Sequence, residues 1–202
     1  MGGTMQVSLF NRRTHGHVAA EIAAMTDRHV ELLNATWMPT FQHRYERQER
    51  DEDFLMWNTG KGYLELVFRR EEFQSFVLIA DEIVQGVLLL ESVPLMSRLE
   101  PDRSLVYVRY LATAPWNRRD KVGLGWFRGI GTSLLARAVQ VSQDVGCDGR
   151  LGLHSLKGSD EFYQRLGLTN LGLDAARRGL NYFELSRSQA RQFSDLILKG
   201  VS

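Results

Sequence analysis

The sequence predicts an α/β fold with a sheet covered on both faces, and three stretches carry that prediction. Residues 104–113 (SLVYVRYLAT) are a β-branched and aromatic run that stops short of Pro115 and reads as a strand. After an Arg-, Lys- and Gly-rich loop, Ile130, Leu134, Leu135, Ala138, Val141 and Val145 recur at three- and four-residue steps until Gly146, which is the signature of an amphipathic helix. Upstream, residues 76–80 and 83–90 are almost continuous apolar runs split by Asp81-Glu82. Such a pair is expected as a hairpin buried on both faces, in the middle of a covered sheet.

Composition narrows the class. At 202 residues and 44% hydrophobic content the chain suffices for one domain with a real core, and a single domain over 1–202 is expected. Lys plus Arg total 25 against 24 for Asp plus Glu, a net charge of +1, which argues against a general nucleic-acid binder. Cys147 is the only cysteine, so no disulfide framework and no cysteine-based zinc site is expected. His15 and His17 have no third ligand nearby, and no metal is expected. The first ten residues lack a signal-peptide layout, and nowhere are there 18 consecutive apolar residues. The expected location is cytoplasmic, away from membranes.

The remaining elements follow in order. Residues 5–11 read as a short strand. Val18, Ile22, Met25 and Leu32 mark one face of a helix over 17–33, with His29 on the same stripe as a core or boundary residue. Pro39 is expected to break the chain before a second helix near 42–57, whose charge run HRYERQERDED reads as a solvated face with pairs such as Glu46 and Arg50. Residues 63–73 fit strand or helix equally, and 92–103 read as a loop with two prolines. Beyond Gly146, 150–154 read as a strand, and 160–166 as a short helix with Ser159 as its N-cap and Gly167 as its stop. Residues 181–185 read as a last strand and 188–199 as a terminal amphipathic helix.

The chemistry centres on Arg128-Gly129-Ile130-Gly131-Thr132. A strand that feeds a glycine-lined helix N-terminus suits a phosphate, because free N–H groups and the helix dipole both face the anion. The glycines admit a ligand close to the backbone, and Arg128 adds charge beside it.

With those residues in place, the chain resembles the GCN5-related N-acetyltransferase superfamily. LATAPWNR followed by RGIGTSLL is similar to the family's acetyl-CoA strand and pyrophosphate loop; GLHSLKGSDEFYQRLGL is similar to its fifth strand and fourth helix. The resemblance spans roughly 76–185; over 1–75 it rests on helix order alone. It implies a mixed central sheet with helices on both faces and an acyl-CoA cleft between splayed central strands. It also implies transfer of an acetyl group from acetyl-CoA to an amine by direct attack.

The resemblance assigns roles residue by residue. The backbone of Leu111, Ala112 and Thr113 would hold the thioester carbonyl and the pantetheine arm. Arg128, Gly129, Ile130, Gly131 and Thr132 would hold the pyrophosphate. Tyr163 occupies the place of the general acid that protonates the leaving thiolate, with Phe162 expected inward and Tyr163 towards the cleft. Two departures stand out. Aligning Gly129 and Gly131 puts Trp126 where the family carries Gln or Arg, leaving Arg118, Arg119, Lys121 and Arg128 as substitutes. The strand over 104–113 also lacks Asp, Glu and His, so the base stays open between His154, Glu91 and a water chain. Trp37, Trp57, Tyr63 and Arg109 are expected around the acceptor, which the sequence does not identify; a tRNA enters only as one possible acceptor. The alternatives are an inactive module of the same fold that binds acyl-CoA or a partner, and a nucleotide-phosphate binder. The latter lacks Gly-Lys-Ser/Thr after its glycines.

Overall fold

The computed structural model describes residues 3–46, 71–117 and 125–198 and has a mixed α/β architecture. It holds two compact units, Met1–Leu89 with Leu111–Leu134 and Leu90–Tyr110 with Leu135–Ser202.

In the first unit the strand order is β7 (Phe127–Arg128), β1 (Met5–Asn11), β2 (Gly16–Ala24), β3 (Phe73–Ala80) and β4 (Ile83–Glu91). Strands β1 (Met5–Asn11) and β2 (Gly16–Ala24) form an antiparallel hairpin from Met5 opposite Ile22 to Asn11 opposite Gly16. Its turn is held by Asn11, whose Oδ1 accepts from the N–H of Arg13 at 2.9 Å. The helix expected over 17–33 is therefore a strand up to Ala24, and helix α1 (Asp27–Glu46) begins only afterwards. The alanines of GHVAAEIAA fit a helix by propensity, but pairing with β1 on one side and β3 on the other overrides that preference. Val30, Leu33 and Trp37 form the buried stripe of α1. Pro39 lies inside this helix, at an exposed position, rather than before a second one. The expected helix beyond Glu46 and most of 63–73 lie outside the described residues.

The hairpin is as expected. Strands β3 (Phe73–Ala80) and β4 (Ile83–Glu91) pair across Asp81 and Glu82, whose φ of 52° and 62° define a mirror-image turn that matches strand twist. Residues 84–90 of β4 are buried without interruption. Trp37, fully buried on α1, donates from Nε1 to the carbonyl of Val84 at 2.9 Å and ties the helix to β4.

In the second unit the order is β6-β8-β10-β9, with β5 beside β6. Here β5 is Leu95–Met96, β6 Ser104–Thr113, β8 Leu151–Ser155, β9 Thr169–Asp174 and β10 Leu180–Leu185. The sheet is mixed: β10 runs antiparallel to β8 and β9, whereas β6 and β8 run parallel. That parallel register covers Val106–Val108 against Leu151–Leu153, while both strands continue beyond it. Strand β9 lies in a stretch to which the sequence pattern assigns no element, and Gly172, at φ 89°, and a run of exposed residues interrupt it. Helices α3 (Asp160–Arg165) and α4 (Arg187–Leu198) match expectation. Ser159 stands at the N-cap of α3, but its side chain makes no capping hydrogen bond. Among the described residues no helix is long and apolar enough to cross a membrane.

Candidate functional site

The glycine segment of the first unit starts helix α2 (Ile130–Asp144). Gly129, at φ 93°, caps it: its carbonyl accepts from the N–H of Ser133 at 2.8 Å, in a conformation that side chains rarely adopt. The first N–H groups of a helix have no partner within it, which leaves those of Ile130, Gly131 and Thr132 for other acceptors. The helix start is seated on Gly86 of β4. A Cβ there would lie 2.6 Å from Ile130 Cγ2 and 2.9 Å from Leu134 Cδ1, so only glycine lets the helix come this close.

Arg128 is exposed and belongs to a short strand, β7 (Phe127–Arg128), rather than to a loop; it pairs with Phe10 of β1. Ile130 and Thr132 are buried, at 3% and 9% exposure, so Thr132 offers its backbone more readily than its side chain. At the end of β6, Leu111 and Thr113 are half-buried and Ala112 is buried.

A polar knot closes the neck of the connecting loop. Asn117 Oδ1 accepts from the backbone N–H groups of Trp126 and Phe127, both at 3.0 Å, and its Nδ2 donates to Gln85 Oε1 at 2.8 Å. Trp116 Nε1 donates to the same oxygen at 3.0 Å. Arg118, Arg119 and Lys121 lie outside the described residues. Trp126 packs against Trp116 at 5.8 Å and carries the Arg13 guanidinium 5.2 Å from its ring centre. Trp126 and Arg13 line a cavity of about 400 Å³ together with Asn11, Thr14, Asp81 and Phe127. No local pattern in the sequence places the Arg13 cation beside Trp126. The hairpin turn brings it there, because Arg12 N–H donates to the Trp126 carbonyl at 2.8 Å.

The second unit holds Tyr163 and His154. Tyr163 is the buried residue of α3, at 7% exposure, with its ring 5.7 Å from Phe183; Phe162 is the more open of the pair. Tyr163, expected towards the cleft, is thus the more buried of the two aromatics, because α3 turns position 163 onto β10. His154 Nδ1 lies 2.6 Å from Tyr107 Oη, and its Nε2 lies 3.2 Å from Asp174 Oδ2. Burial pushes His154 below the ordinary histidine range, against the pull of Asp174. Asp174 itself is drawn down to about 2, first by Arg98, whose Nη2 donates to it at 2.6 Å, and then by His154. Glu91 and Arg109 are half-buried and 3.8 Å apart. Of the residues expected around the acceptor, Trp37 is instead fully buried core, and Trp57 and Tyr63 lie outside the described residues.

No protein-family model matches the chain, and no curated protein sequence does. Solved structures do. The chain is similar to PaiA N-acetyltransferase from Thermoplasma acidophilum in complex with coenzyme A, with a TM-score of 0.55 and 16% identity over 82% of this chain and 97% of that one. It is similar to FeeM, an N-acyl amino acid synthase from uncultured soil microbes, with a TM-score of 0.56 and 14% identity over 89% and 96%. A GNAT-family acetyltransferase from Listeria monocytogenes has a TM-score of 0.58 at 10% identity over 89% and 98%. At such identities the likeness is one of fold, and the fold of this chain is that of the GCN5-related N-acetyltransferases.

Proposed function

We propose that this chain is an acyltransferase that moves an acetyl group from acetyl-CoA to an amine by direct attack, with residues 1–202 acting as one domain. The observation that carries this reading is the start of α2 within an acetyltransferase fold: a glycine cap at φ 93°, Arg128 exposed beside it, and a helix drawn close to β4 over Gly86. A Cβ added to Gly129 would meet only Leu9 Cδ2, at 3.7 Å, so the backbone there is open enough for a phosphate to approach.

In this reading Arg128 and the N–H groups of Ile130, Gly131 and Thr132 hold the pyrophosphate. The backbone of Leu111, Ala112 and Thr113 hydrogen-bonds the pantetheine arm, and one N–H there stabilises the oxyanion formed when the amine adds to the thioester carbonyl. The carbon–sulfur bond then breaks, and Tyr163 donates its phenolic proton to the departing thiolate. Coenzyme A in the Thermoplasma relative supports acetyl-CoA as the co-substrate.

A second reading, binding without transfer, is favoured by the burial of Tyr163 and by Trp126 in place of Gln or Arg. Calorimetric titration of acetyl-CoA into wild type, Gly131→Asp and Tyr163→Phe separates the two. The acyltransferase reading expects micromolar binding to wild type and none to a folded Gly131→Asp, whose carboxylate would face phosphate. It expects Tyr163→Phe to bind normally and to release CoA roughly 100-fold more slowly. Binding with no effect of Tyr163→Phe on turnover would leave the tyrosine a packing residue, and no binding to wild type would end both readings.

A further inference from the structure

Strand β6 has no carboxylate or imidazole of its own, yet one of its tyrosines is joined to both through neighbouring strands. Tyr107 Oη lies 2.6 Å from His154 Nδ1 on β8, and His154 Nε2 lies 3.2 Å from Asp174 Oδ2 at the end of β9. The direction of each bond follows from its partners. Asp174 is an anion that already accepts from Arg98 Nη2 and from the N–H of Ala176, so the imidazole proton sits on Nε2 and points at it. That leaves Nδ1 as a bare lone pair, and Tyr107 must donate to it. The phenolic oxygen keeps its own lone pairs for another donor.

The place of this chain in the sheet matters. Tyr107 stands opposite Gly152, within the short stretch where β6 and β8 pair, and His154 is the first residue of β8 past the end of that register. Along β6 the odd-numbered face is sealed at Leu105 and Tyr107 and opens from Arg109 onward. Tyr107 is therefore the last closed position before the strand becomes accessible.

We propose that Tyr107, His154 and Asp174 form a proton relay that removes the proton released by the attacking amine. The inference rests on the acyl-transfer reading. As the nitrogen–carbon bond forms, the amine proton passes to Tyr107 Oη while the tyrosine's own proton passes to His154 Nδ1. The result is an imidazolium held against the Asp174 carboxylate and a regenerated phenol. His154 later returns its proton to water, and Tyr163 recovers from water the one that left with the thiol.

The surrounding charges suit this cycle. Arg98, 4.1 Å over the Tyr182 ring, and Arg177, 5.9 Å from the Tyr107 ring, disfavour a resting imidazolium; Asp174 favours the transient one. Tyr182, whose ring is 4.8 Å from that of His154, is committed to Glu184 at 2.9 Å and supplies no proton to the chain. Arg109, further along β6, and Glu91, at the end of β4, offset each other at 3.8 Å. Burial holds both Tyr107 and His154 in their neutral forms, the forms that a relay needs at rest.

The test uses the full chain, with acetyl-CoA as donor and L-lysine amide, spermidine and water as acceptor probes, and follows release of the CoA thiol against pH. Wild type should show an acid limb below the ordinary histidine value of 6.5. His154→Gln keeps a hydrogen-bonding side chain that cannot take the proton; it should bind acetyl-CoA normally, turn over roughly 100-fold more slowly and lose the acid limb. Tyr107→Phe should do the same. Nitrogen NMR of His154 at neutral pH should show the Nε2–H tautomer, with Nδ1 shifting in Tyr107→Phe. An Nδ1–H tautomer overturns the relay, as does an unchanged rate and acid limb in a folded His154→Gln. Wild type that binds acetyl-CoA and releases no thiol to any of these acceptors overturns the acyl-transfer reading, and the relay with it. Wild type that binds no acetyl-CoA likewise overturns the acyl-transfer reading on which the relay depends.

Discussion

Glu184 accepts four hydrogen bonds at 1% exposure: from Ser97 Oγ at 2.6 Å, the N–H groups of Arg98 and Leu99 at 2.7 and 3.0 Å, and Tyr182 Oη at 2.9 Å. Each carboxylate oxygen receives two donors, which offsets the cost of burying it. Glu184→Gln puts an amide NH2 against two of those donors. The expected loss is about 2–3 kcal/mol, on the scale of hydrogen bonds to charged groups, read from urea unfolding. Ser97→Ala should cost less, because three donors remain. A loss for Glu184→Gln below that for Ser97→Ala would mean that loop 97–99 is not fixed by the carboxylate. The strand holding Glu184 is legible in the sequence from its aromatic and aliphatic neighbours. Its role is not, because three of its four donors lie more than 80 residues earlier and meet it only once β10 has found β8. The same holds for Tyr107, His154 and Asp174, whose spacing of 47 and 20 residues fits no local motif.

Elements were legible where one period dominated. The hairpin of β3 and β4, strand β6, and helices α2 and α4 each carry a long unbroken pattern, and all are present. Strand β2 misleads because its apolar residues also fall on a helical stripe, and only its neighbours decide. Strands β7 and β9 escape for lack of length or of buried side chains. The glycine loop itself is legible, yet the reason that it stands where it does is Gly86, more than 40 residues upstream. Gly86→Ala drives a methyl against Ile130 Cγ2 and Leu134 Cδ1, with the Ala112 carbonyl oxygen at 3.3 Å behind them. The expected cost is about 1–3 kcal/mol, the range for an overpacked core. Ile130→Leu removes the branch that carries Cγ2, so the double variant should recover part of that loss. Acetyl-CoA affinity should fall with Gly86→Ala alone if the helix start shifts to relieve the clash. Equal affinity in a destabilised variant would place the strain elsewhere along α2.

For the whole molecule, the clearest consequence of this electrostatic layout is a two-step loss of stability in acid. Burial lowers His29 on α1 and His154 on β8 below 6.5, in the first and second unit respectively. A histidine depressed in the fold stays neutral there while the unfolded chain takes up a proton, so stability is complete above 6.5 and declines as pH falls below it. The second step belongs to carboxylates. Asp174 drops from 3.8 to about 2, chiefly through Arg98, and Glu100 and Asp148 are held low mainly by their hydrogen bonds to Arg150. Their contribution is present above the ordinary carboxylate range and is lost as pH passes down through it. Melting temperature should therefore be flat above neutrality, decline below about pH 6.5 and decline again below about pH 4. His29→Gln and His154→Gln should each remove part of the first decline and leave the second intact. Arg98→Gln should act the other way: it lowers stability at neutral pH and makes the second decline shallower, because Asp174 then keeps only His154 and the N–H of Ala176 to hold it low. A first decline that survives both histidine substitutions would assign it to groups other than these two imidazoles.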